Sequence, residues 1–277
     1  MRKRKISPIE QIVVHAVLFI WLLISVIPFI WMVSTSFKGP GEIFVFPPKW
    51  IPRAPTFQNY IDLFQEVNFG RPFLNSVIVS LSTTFLSVLI ATMAGYGFAK
   101  FNFKNKNVLF LVILGTIMVP GQITMIPVFL LLTQFNLLNT YWGLILPAIA
   151  NAFNIFFMRQ FISGIPDELI EAAKMDGAHE GWIFFRVILP LAKPAMAAIT
   201  IFTFTGSWNN FLWPLIIATD ESMYTLPVAV SVLGGQYTEN IAMQMAGSVI
   251  VILPLIIVFL FTQRYFIKGI TFTGLKG

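Results

Sequence analysis

"NVLFLVILGTIMVPGQITMIPVFLLLTQFNLLNTYWGLILPAIANAFNIFFM", residues 107–158, contains no Asp, Glu, Lys or Arg. One bilayer crossing needs about 20 predominantly apolar residues, so this run is too long for a single helix. Its middle, "TQFNLLNTYW", is polar enough to turn, and the run reads as two crossings, about 108–132 and 140–161. Four more charge-free runs, Gln11–Phe37, Pro72–Ala99, Pro194–Thr219 and Asn240–Gln263, hold one crossing each, near 12–34, 73–94, 194–217 and 242–264. The expected fold class is all-α integral membrane, with six transmembrane helices and the lipid bilayer as partner. Composition agrees: 57% of the residues are apolar and 11% charged, where a soluble domain carries about a quarter charged.

The net charge of +6 does not point to nucleic acid, because of where the basic residues stand. With the N-terminus inside, the inner segments hold Arg2, Lys3, Arg4, Lys5, Lys100, Lys104, Lys106, Arg159, Lys174, Arg186, Lys193, Arg264, Lys268 and Lys276. The outer segments hold Lys38, Lys49, Arg53 and Arg71, all in one long loop. The positive-inside rule then puts both termini in the cytoplasm. Cysteine is absent, which removes disulfides, thiolate catalysis and Cys-based metal sites. "MRKRK" before an apolar run imitates a secretory leader, but the run is too long and no A-x-A site follows, so it reads as an uncleaved first crossing.

Five prolines within 40–55 forbid regular helix after the first crossing, and "TFQNYIDLFQEV" has the spacing of a short amphipathic helix. "SMYTLPVAVSVL" is too short to cross; it lies at the outer interface or re-enters. Prolines 120, 127, 147, 214 and 254 fall inside crossings and mark kinks or helix ends, tolerated where neighbours or water satisfy the freed carbonyls.

The one long polar stretch in the last two thirds is "PDELIEAAKMDGAHEGWIFFRVILP", 166–190. Pro166 suits a first helical turn, Asp167 and Glu168 have the right sign for a helix N-terminus, and Gly177 suits the left-handed residue past a helix end. A helix over 167–176 follows, with Leu169, Ala172, Ala173 and Asp176 near one face and Glu171 near Lys174. A second amphipathic stretch, Trp182–Leu189, leads to Pro190. Either these charges simply keep a loop wet, or the apolar residues between them dock into a partner.

"EAAKMDG" followed by "VILP" resembles the E-A-A, three residues, G, nine residues, I-x-L-P loop of binding-protein-dependent ABC importer permeases. Glu171, Ala172, Ala173, Gly177, Leu189 and Pro190 match, with Val187 in the isoleucine position. "SFKGPGEIFVFPPKWIP", "AGYGFAKFNF", "MVPGQITMIP", "TGSWNNFLWPL" and "QRYFIKGITFTGLKG" are similar to the carbohydrate branch, the MalG-like sugar permeases, and the likeness covers nearly the full length from about residue 25. Trp208-Asn209-Asn210 departs from the family's Asp after the Trp-Asn pair, and the tail "TGLKG" is shortened.

The resemblance implies the type I ABC importer permease fold. Residues 1–70 would form an N-terminal transmembrane helix and external Pro-rich segment, 71–265 the permease core with the cytoplasmic coupling loop 163–190, and 266–277 a cytoplasmic tail. It makes the loop, with Asp176 among its residues, the seat of a separate ATPase subunit. The implied partners are a second homologous permease, two ABC ATPase subunits and an extracytoplasmic sugar-binding protein, in a prokaryotic inner membrane. The chain has no Gly-Lys pair and hence no P-loop, so ATP and Mg would be bound by the partner ATPase and no cofactor by this chain.

No ionisable relay lies in the charge-free runs, against proton coupling, and no charged ring marks a channel filter. His15 and His179 cannot be argued into a pair, so no catalytic or metal-ligating set is expected. The candidates for the substrate route are uncharged: Asn75, Asn151, Asn154, Thr205, Ser207, Asn209 and Asn210, with Trp208 and Trp213 nearby. Amides inside a bundle also serve simply as cross-helix hydrogen bonds. The alternatives are a same-fold permease for glycerol phosphate, a polyol or a peptide, and a non-conducting structural or regulatory subunit.

Overall fold

A computed structural model describes residues 7–65, 67–236 and 240–273. Arg2, Lys3, Arg4, Lys5 and Lys276, the centre of "GGQYTEN" and the last four residues of the expected tail lie outside the described residues.

Helix α1, Pro8–Ser36, starts from a reciprocal cap. The Ser7 hydroxyl accepts from the Glu10 amide, and the Glu10 carboxylate accepts from the Ser7 amide at 2.9 Å, which satisfies two donors a helix start leaves open. From Ile9 to Ile30 its apolar side chains are exposed on every side, Trp21 at 70% and Ile24 at 61%, as suits a helix meeting lipid or another subunit. The proline-rich stretch that follows has no regular helix, and α2, Gln58–Gln65, is the short amphipathic helix expected, burying Asn59 and Leu63.

Helix α3, Gly70–Lys100, is longer than the crossing read at 73–94. At about 1.5 Å per residue it is longer than the hydrocarbon layer is thick. The opening stretch is not two straight helices. Its first crossing is broken into α4, Lys106–Ile117, and α5, Gly121–Gln134, at 102°. Pro120 has no amide to donate back along α4 and stands instead as the residue before α5. The second is α6, Tyr141–Ile149, and α7, Ala152–Ser163, bent by 44° at Asn151.

The loop helix α8 spans Glu168–Met175. Pro166 precedes it and is not part of its first turn. The crossing expected at 194–217 is displaced. Helix runs from Glu180 to Trp208 without interruption, as α9, Glu180–Ile183, a π-helical turn, Phe184–Ile188, and α10, Leu189–Trp208. Pro190 has no amide for the Arg186 carbonyl, and the Leu189 amide reaches back five residues to Phe184, which widens the turn. Residues after Trp208 belong to a separate short helix, α11, Leu212–Ile217. Then come α12, Leu226–Gln236, too short to cross, and α13, Ile241–Thr273.

Among the described residues four helices are thus long and apolar enough to cross a membrane, and counting each bent pair as one crossing gives up to six. Among the described residues there is no strand. The chain forms two compact units: one takes the sequence up to Phe69 with Val230–Ile252, the other Gly70–Ala229 and everything from Leu253. The second unit has an apolar core built on Met158, Ile162, Ile183, Ile188, Ala192 and Ile199, all fully buried.

Candidate functional site

Two features of the second unit carry chemistry. The first is the loop around α8. Its end is a complete Schellman motif: Ala178 N–H donates to Ala173 O and Gly177 N–H to Lys174 O, both at 3.0 Å. Gly177 adopts φ +79°, the left-handed conformation glycine takes without strain. Ile170 and Ala173 are buried in the core, while Leu169, Ala172, Met175 and Asp176 are exposed. Ala173 therefore does not share a free face with Ala172; it anchors the helix from below. Lys174 pairs with Glu180 at 2.6 Å, and Glu171 stays exposed. His179 caps α9, its Nδ1 accepting from the Trp182 amide at 3.3 Å. Leu189 packs against the core and Pro190 is exposed.

The loop is tied to the last turns of α3. Lys100 Nζ reaches Asp167 Oδ1 at 2.6 Å and also donates to the Ile165 carbonyl, just before α8. Just after α8, the Tyr96 hydroxyl donates to Glu180 Oε2 at 2.9 Å, on the carboxylate that holds Lys174. The Lys100 side chain is 7% exposed.

The second feature is a cavity of about 290 Å³ between α3, α6, α7, α10 and α11. Asn151, Asn154, Ser207 and Asn210 line it, as does Trp213. Asn154 is buried and donates to Ser87 Oγ at 3.1 Å and Thr203 Oγ1 at 2.8 Å. Asn151 caps α7 by accepting from the Asn154 amide, and Asn210 accepts from the Trp213 amide. Trp213 donates its indole N–H to the Gly143 carbonyl at 3.2 Å. No lining residue is charged.

Thr205, Trp208 and Asn209 are not among the residues that line this cavity. Trp208 is 1% exposed and stacked on Phe204 with Phe73 at its edge. Asn209 ends α10 and is exposed. Asn75 is committed elsewhere: its amide donates to the Ser222 and Tyr224 carbonyls at 2.8 and 2.9 Å and accepts from the Tyr141 hydroxyl at 2.7 Å.

Sequence reasoning missed Thr83 and Thr203 in the lining, and with Thr83 the buried stripe of α3. Ser76, Ser80, Thr83, Ser87, Ala91 and Gly95 recur at three and four residues and are all buried, on a helix packed against α6, α7 and α10. That periodicity of small residues was available in "NSVIVSLSTTFLSVLIATMAG" as a helix-packing signal.

The sequence pattern of one family, described as binding-protein-dependent transport system inner membrane component, matches residues 87–272. The arabinooligosaccharides transport system permease protein AraQ of Halalkalibacterium halodurans is 39% identical, covering 99% of this chain and 100% of its own. The lactose transport system permease protein LacG of Rhizobium radiobacter is 38% identical, covering 94% of this chain and 95% of its own. Among solved structures, a chain of a bacterial ABC transporter involved in the import of the acidic polysaccharide alginate superimposes with a TM-score of 0.81 at 27% identity, covering 94% of this chain and 98% of that one.

Proposed function

The chain belongs to the family of binding-protein-dependent transport system inner membrane components, and from that premise we propose that it is the permease subunit of an ATP-driven sugar importer. It is a multi-pass inner-membrane transporter subunit with the type I ABC importer permease fold.

The finer parts of the reading rest on its own residues. ATP and Mg are bound by a separate ATPase, since this sequence has no P-loop. The single observation that carries the coupling is the division of α8 into two faces. Ile170 and Ala173 are fixed in the core, while Leu169, Ala172 and Met175 stand bare beside acidic side chains. A helix anchored below and bare above is shaped to be gripped by another protein. We place this loop and both termini in the cytoplasm, following the distribution of basic residues. A second permease, two ATPases and an external sugar-binding protein complete the assembly. The cavity is this chain's part of the route. Its amides and hydroxyls can exchange hydrogen bonds with sugar hydroxyls, and its lack of a cation disfavours a phosphate ester as cargo.

The test is uptake of labelled neutral oligosaccharides into cells or proteoliposomes, with each subunit omitted in turn. Uptake should need ATP, the binding protein and this chain together. Sugar uptake that persists without this chain would leave it a structural or regulatory subunit.

A further inference from the structure

We propose that Tyr96 and Lys100 are positioning residues that make α3 the rod through which movement of the loop helix reaches the sugar route. The inference rests on the reading that α8 seats the ATPase. α8 is clamped to α3 on both flanks: by Lys100 to Asp167 and the Ile165 carbonyl before it, and by Tyr96 to Glu180 after it. Both ties end on the last two turns of one helix, four residues apart, and so on one face of it. α3 continues unbroken from there to Gly70. Its middle passes the cavity through Val79 and Thr83, and Ser87 accepts from Asn154 in the same lining. Its far end holds Asn75 to the Ser222 and Tyr224 carbonyls and Ser76 to the Leu226 amide.

The two covalent routes out of α8 are less direct. Backward, the chain turns through Gly164–Pro166 into α7, which is bent against α6. Forward, it passes Gly177 and then the π turn at Phe184–Ile188, where the hydrogen-bond register slips by one. A break in register is where a helix gives under load. The straight connection between loop and cavity is therefore the non-covalent one: Ile170 and Ala173 pack in the same core as Ala91 of α3, and Tyr96 and Lys100 add the polar ties that fix the loop's two flanks.

The experiment uses the complete transporter in proteoliposomes, with ATP hydrolysis and sugar uptake measured together. In the Tyr96→Phe/Lys100→Met variant, the ATPase should stay bound and hydrolysis should stay near wild type. Sugar moved per ATP should fall about fivefold, within the range carried by residues lying between coupled sites. Lys100→Arg, which keeps the charge and the reach, should restore most of the ratio. A second variant, Tyr96→Phe/Asp167→Asn, changes only an exposed partner and a hydroxyl, and it should lower the same ratio if the first variant does not assemble. An unchanged ratio in an assembled variant overturns the proposal, as does an equal fall of hydrolysis and uptake. Failure of the wild-type complex to couple ATP to uptake would instead overturn the reading of α8, a result visible before any variant is made.

Discussion

Gly177 and Lys38 show how much a single position decides. Around Gly177 nothing lies within 4 Å of an added Cβ, so a side chain there meets no clash and the cost is torsional alone. Gly177→Val should lose roughly 1–2 kcal/mol of local stability at φ +79°, loosening the end of α8. Membrane insertion should be intact while ATPase co-purification and uptake fall, and Gly177→Asn, which tolerates the left-handed region, should retain most of both. Lys38 is fully buried, and its ammonium, which has no hydrogen-bond partner, stands 3.9 Å above the Trp31 ring. A cation–π contact is worth at most about 2 kcal/mol, and leaving an ion unpaired in the interior costs several. Burial accordingly pulls the Lys38 pKa down, only partly opposed by Glu42. The unfolded chain then binds more protons than the folded one, so stability rises with pH from the lowered value up to the ordinary lysine range. Lys38→Met keeps the stem and should raise the melting temperature at neutral pH and flatten that rise, as thermal unfolding across pH would register. Which amides face the cavity was only half legible at this scale. Asn154 and Asn75 look alike in sequence, and only tertiary neighbours distinguish a cavity wall from a saturated brace.

Elements were legible by their apolar length, and less so by their ends. Each charge-free run overlaps one of the described apolar helices or bent pairs long enough to cross, the run at 107–158 overlapping both pairs, because burying a charge in lipid is costly wherever the helix starts. They could not show that Trp182–Leu189 and the crossing after it are one helix, since polar residues extend a helix past the bilayer without interrupting it. Nor could they show the 102° corner just before Pro120, since a proline marks a break without giving its angle. The small-residue stripe of α3 gives a sharper expectation. A Cβ on Gly95 would stand 2.7 Å from Met158 Cβ and 2.9 Å from the Arg159 backbone nitrogen. Neither can yield without moving α7, so Gly95→Val should force α3 and α7 apart. The loss should be about 1–3 kcal/mol, the usual cost of overpacking, read as a lower melting temperature of the detergent-solubilised protein. Gly97→Val, with nothing within 4 Å, should be much milder.

For the molecule as a whole, composition set the solvent and the loop motif set the family, and neither reached the wiring between them. The ties from Lys100 and Tyr96 join residues more than sixty positions apart in sequence. Spacing rules speak of neighbours on one helix, and they are silent about partners brought together by folding. The uncharged cavity has an electrical consequence. Moving one elementary charge through a membrane potential involves about 2.3 kcal/mol per 100 mV, and here neither the lining nor a neutral cargo carries one. With the cavity as the proposed route, voltage across the cell envelope does no work on a neutral sugar passing this wall, and uptake should persist in a cell with a collapsed potential but full nucleotide stores.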